Sequence, residues 1–194
     1  MEAPSSRPNV AITLFEGLPP TFDMEVAQML EGSGLEIPVI RTRGGPFAGV
    51  ELYMPAAVML FIASGYFNGF LQKAGEDHYQ LLKRIALHAW RRASAIKLAV
   101  LGKKTDRRFS MNYAIGGESP DGTRFKLLVQ MEITEDGTSE AIEGFLDFLR
   151  ELHSGTIAEA DLNALRTYPV IGGTALVTFD PRARKIVPVN AFEK

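Results

Sequence analysis

Cysteine is absent from all 194 residues of this chain. That removes a disulfide framework, thiolate zinc ligation, iron–sulfur clusters and a cysteine nucleophile together, and it agrees with a reducing compartment. Histidine is scarce, with His78, His88 and His153 the three copies, and no HExxH or HxH spacing links them. The glycine pairs at 44–45, 116–117 and 172–173 match neither the dinucleotide fingerprint nor the phosphate-binding loop. Ser64, in Ala-Ser-Gly, lacks the G-x-S-x-G elbow of a serine hydrolase and reads as a buried serine bonded to a backbone carbonyl. The opening MEAPSSRPNV has no basic segment leading into an apolar one, so no secretory signal is expected and the expectation is a cytoplasmic protein.

Charge is missing from one long stretch. Leu52–Leu71 (LYMPAAVMLFIASGYFNGFL) carries none over twenty positions, about the length that crosses a hydrocarbon core roughly 30 Å thick. Pro55 would fall in the first turn of such a helix, where its missing N–H is tolerated, and Glu51 would sit at the positive end of the dipole. Ser64-Gly65 and Asn68-Gly69 dilute the run, and mean hydropathy over the chain is +0.01. The expectation is therefore a central, fully buried helix; a membrane-associating helix is the alternative.

The charges present are unevenly placed. Residues 1–51 hold three basic and seven acidic side chains, residues 72–110 ten and three, and residues 111–194 eight and thirteen, within a net charge of −2. A basic block thus follows the uncharged run directly. Its simplest meaning is a solvated helix face paired with acidic segments of the same fold. Its functional meaning is a face for capturing a protein partner, carried by Lys83, Arg84, Arg91, Arg92, Lys103 and Lys104. Lys97, Lys103, Lys104, Arg107 and Arg108, following Arg91 and Arg92 and with Trp90 and Phe109 near them, would suit nucleic acid only weakly, since no nucleic-acid fold motif is present and the flanks are acidic.

Apolar residues make up 46% of the chain, enough for a sizeable core. Residues 1–8 read as a flexible arm and residues 9–194 as one α+β domain. Asn9–Phe15 reads as a strand, Phe22–Leu30 as a helix and Leu35–Thr42 as a strand that Pro38 assigns to an edge or a bulge. After the central helix and a break at Gly75, an amphipathic helix over Glu76–Ser94 carries Leu81, Leu82, Ile85 and Ala89 on one stripe. Ile96–Leu101 reads weakly as a strand. Phe109–Ile115 and Phe125–Ile133 alternate with period two around a glycine-rich turn, forming an antiparallel hairpin. Ser139–Leu152 is helical, Thr156 to Glu159 resembles a capping box opening a helix to about Arg166, and Ala175–Phe179 with Lys185–Val189 form a second antiparallel hairpin.

Chemistry has few places to reside. Glu76-Asp77-His78 could hold a general base, and Asp77, His78 and Tyr79 form a candidate pocket. The simpler reading has Glu76 and Asp77 favouring the helix N-terminus while His78 is partly buried beside Tyr79. His88 lies ten residues on, about 1,000° around the helix, and points elsewhere. His153 meets the negative end of its own helix dipole. No metal site and no cofactor is expected. The sequence therefore points to a non-enzymatic cytoplasmic interaction or regulatory module acting through a protein partner or as a homo-oligomer. A membrane-associating protein using residues 52–71, and an enzyme with a site near Glu76-Asp77-His78, are the alternatives.

Overall fold

The computed structural model describes residues 9–15, 19, 21–42, 56–67, 71–95 and 108–190. The expected arm at 1–8, the expected strand at 96–101, and Lys97, Lys103, Lys104 and Arg107 lie outside these residues. In chain order the elements are β1 (Val10–Phe15), α1 (Thr21–Leu30), β2 (Val39–Thr42), β3 (Val58–Ile62), α2 (Leu71–Ser94), β4 (Phe109–Glu118), β5 (Arg124–Gln130), α3 (Glu135–Ser154), α4 (Glu159–Arg166), β6 (Val170–Ile171), β7 (Thr174–Asp180) and β8 (Lys185–Pro188).

The largest departure from expectation falls on the uncharged run. It does not form one helix from 52 to 71: its middle, Val58–Ile62, is a strand, and α2 begins at Leu71. The physical reason is that a strand covered on both faces is apolar at every position, so over five residues it cannot be told from a buried helix by periodicity. Val58, Leu60 and Ile62 are fully buried while Met59 and Phe61 are half-buried on the other face. Ser64 to Phe67 then make a short helical turn that includes a π segment. Gly75, expected to break the chain, lies inside α2. Among the described residues no helix is long and apolar enough to cross a membrane.

The class is α+β, with one mixed sheet of eight strands ordered β2-β1-β3-β4-β5-β7-β6, and β8 also pairing with β7. Both expected hairpins form: β4 with β5 and β7 with β8, each antiparallel. β1 runs parallel to β2, β3 parallel to β4 and β5 parallel to β7, and each of these pairs is joined through a helix. β2 stands at the edge that Pro38 implied.

The helices pack in the order α1, α2, α3. Leu82, Ile85, Ala86 and Ala89 of α2 and Ile142, Phe145 and Leu149 of α3 join Ile12, Leu60, Ile115, Leu127 and Val177 in the main core. Tyr113, buried beneath α2, donates its hydroxyl to the Ala86 carbonyl at 2.8 Å, and burial drives its pKa upward. A smaller cluster on the opposite face holds Phe109, Leu128 and Leu176, with Val189 against them.

Two adjacent glycines thin the sheet at β4. A β-carbon on Gly116 would stand 2.6 Å from Met59 Cε and 2.8 Å from the Phe61 ring, and one on Gly117 would stand 2.6 Å from Leu149 Cδ2. The sheet is therefore bare on one face at Gly116 and on the other at Gly117. Elsewhere Gly172 and Gly173, with φ of 59° and 75°, form the two-residue turn between β6 and β7, whose handedness demands positive φ at both positions.

Helix α3 is capped as its sequence requires. The Thr134 hydroxyl accepts from Gly137 N–H at 3.1 Å, and Gly155 ends the helix in the left-handed region. The expected capping box at Thr156 is not used: α4 starts at Glu159 behind Ala158, which supplies no side-chain cap. Thr156 instead meets the Ser154 hydroxyl at 2.7 Å, because the chain is still leaving α3 there.

Candidate functional site

The basic stripe of α2 is divided between its two neighbours. Lys83 pairs with Glu143 of α3 at 2.6 Å and Arg91 with Glu135 at 2.5 Å. Arg92 and His88 both reach Glu25 of α1, the latter at 2.8 Å, while Arg84 is exposed. The mutual hydrogen bond raises the Arg91 pKa and lowers that of Glu135. Burial, together with the Arg91 guanidinium, holds His88 below the ordinary imidazole range. At neutral pH His88 thus meets Glu25 as a neutral Nε2–H donor, its ring stacked on Phe22 at 5.8 Å. Solvent screens exposed pairs such as Arg91–Glu135, so they add little to stability. Their geometry is the paired helix face that the charge distribution suggested.

Asp77, His78 and Tyr79 do not converge. Asp77 is exposed. His78 donates from Nε2 to the Ser33 carbonyl at 2.8 Å, on the α1 side. Tyr79 turns to α3 and donates to Asp147 Oδ1 at 2.9 Å, and burial with that carboxylate raises its pKa. Consecutive residues on a helix point about 100° apart, so α2 sends the three in three directions. Among the described residues no group of three or more His, Asp or Glu could hold a metal ion.

A tighter constellation lies at the carboxyl ends of β3 and β4. The Ser64 N–H donates to Glu118 Oε2 at 3.3 Å, and His153 Nε2 donates to the Glu118 carbonyl at 2.8 Å. The imidazole stacks on Phe67 with centroids 4.5 Å apart and planes at 14°. With Nε2–H held by a carbonyl, Nδ1 of a neutral ring is an acceptor, and it is buried without a hydrogen-bond partner among the described residues. Enclosed in this way, His153 pins the end of α3 to the turn that leads into α2. Burial raises the neighbouring Tyr66 hydroxyl to about 12. The sequence assigns His153 to its own helix dipole; the Glu118 carbonyl becomes visible only once β4 is placed beside α3.

Lys126 was missed altogether. It alternates with Phe125 and Leu127, so it reads as the solvent face of a strand, yet it is 4% exposed. In register it lies between Gly116 and Leu176, on the face that carries Leu128 rather than the helices. Burial lowers its pKa to about 8.

Exposed apolar side chains complete the picture. Ile40 on β2 is 46% exposed, and on β6 Val170 is 49% and Ile171 41% exposed. No known protein family, curated protein or solved structure matches this chain.

Proposed function

We propose that this chain is a non-enzymatic, cytoplasmic protein-interaction module that binds another protein surface through the edges of its sheet. The observation that carries the proposal is the pair Val170 and Ile171, adjacent and exposed on a two-residue edge strand. Edge strands are ordinarily guarded by charge, by proline or by being very short, because their outward main-chain groups invite pairing with another chain; β6 is short and follows Pro169 but lacks the first of these guards. Here the run from Thr167 to Thr174 carries no charged side chain. The helix layer supports the reading by contrast, since Lys83, Arg91 and Arg92 are already matched by Glu143, Glu135 and Glu25.

A photo-reactive phenylalanine placed singly at 40, at 171 and, as a control on the helix layer, at 80 tests the proposal in living cells. Covalent adducts at 40 or 171 well above those at 80 are expected. Equal background at all three positions would remove the reading.

A further inference from the structure

We infer that the surface bound at the β6 edge belongs to a second copy of this chain, related by a two-fold axis; this rests on the interaction reading above and names its partner. The register determines what the edge offers. Ile171 and Thr174 flank the two-residue turn and form its hydrogen-bonded pair, so Val170, opposite Ala175, directs its N–H and C=O away from β7. Antiparallel to a copy of itself, each Val170 N–H meets the Val170 carbonyl of the second copy, twice by symmetry, which is an isologous contact.

The neighbouring residues suit that register. The main-chain groups of residue 169 alternate back toward β7, so the missing N–H of Pro169 costs nothing in the new ladder. The Tyr168 N–H is already held by the Leu165 carbonyl at 3.4 Å. Val170 then lies opposite Val170, and Ile171 opposite Pro169 of the second copy, placing apolar side chains against apolar ones. The absence of charge from 167 to 174 lets two copies approach without repulsion. β8 lies on the same side of β7, and its part of the edge is guarded by Lys185 and Pro188, both ordinary defences against pairing. One hydrogen-bonded residue pair makes the association weak and dependent on concentration.

Sedimentation velocity of the full chain from about 10 µM to about 1 mM is expected to show a reversible monomer–dimer equilibrium. Val170→Lys and Ile171→Lys, both at exposed positions, are each expected to weaken it about tenfold or more with an unchanged thermal midpoint. Arg84→Ala on the helix layer should leave it as it was. A chain that stays monomeric throughout, or lysine variants that dimerise like the parent, overturns the inference. The cross-linker at 171 separates this inference from the broader reading. An adduct of twice the chain mass supports the second copy, and an adduct of another mass removes it while leaving the interaction reading standing. No adduct at either edge removes both.

Discussion

At the scale of single residues, burial of Lys126 works against its charged form. Its folded-state pKa of about 8 lies below the ordinary 10.5, so folding favours the neutral amine. Between pH 8 and 10.5 the unfolded chain holds a proton that the folded chain has released, and stability therefore rises with pH across that window. A shift of this size corresponds to roughly 3 kcal/mol. Lys126→Met, similar in volume, is expected to raise stability at pH 7 by about 1–3 kcal/mol and to flatten the rise above pH 8. Urea unfolding of both chains at pH 7 and pH 10 measures this, and an unchanged slope in the variant would refute it. Arg184 carries a smaller cost, being a non-glycine residue with φ of 51°. Glycine removes the steric penalty of that region and returns part of the gain as unfolded-chain entropy. Arg184→Gly should accordingly add about 0.5 kcal/mol, read as a higher urea midpoint.

At the scale of elements, what could be read from the sequence depended on how local the signal was. The two hairpins needed only period-two alternation and turn residues within about twenty positions, and both are present. Helices α1 and α3 were legible from apolar spacing, and the amphipathic part of α2 likewise. β3 was not, because a strand buried between β1 and β4 loses the polar alternation that marks a strand. The same blindness hid Lys126 and His153, whose surroundings are set by neighbours far along the chain. The contact between β4 and α3 is a second case. Gly117 reads as turn chemistry in GGESPDG, yet it lies within β4 and makes room for Leu149. Gly117→Ala is expected to destabilise the fold by about 1–3 kcal/mol, since a β-carbon there must displace a core side chain. A thermal midpoint equal to that of the parent would show that α3 can shift freely.

At the scale of the whole molecule, sheet order was the part beyond reach. β3 pairs with β4 in the register Val58 to Tyr113, and no feature of either segment alone selects the other. Pairings of this range carry a closure entropy that must be met before they stabilise anything. The outer side of β7 shows how closely the assembly depends on such partners. It is closed by β6 over Thr174–Ala175 and by β8 over Val177–Asp180. Ending the chain at Asp180 removes β8 and the buried Ile186, leaving the remainder of that side open. Such a truncated chain is expected to precipitate at concentrations where the full chain stays in solution, as followed by light scattering.

The glycine pair in β4 has one more effect, on how closely the two faces of the sheet approach each other. At Gly116 and Gly117 the side chains of Phe61 and Leu149 press on neighbouring peptide units from opposite sides. Only that stretch of backbone lies between the two side chains. Phe61 on one face and Leu149 of α3 on the other thus share one thin stretch of β4.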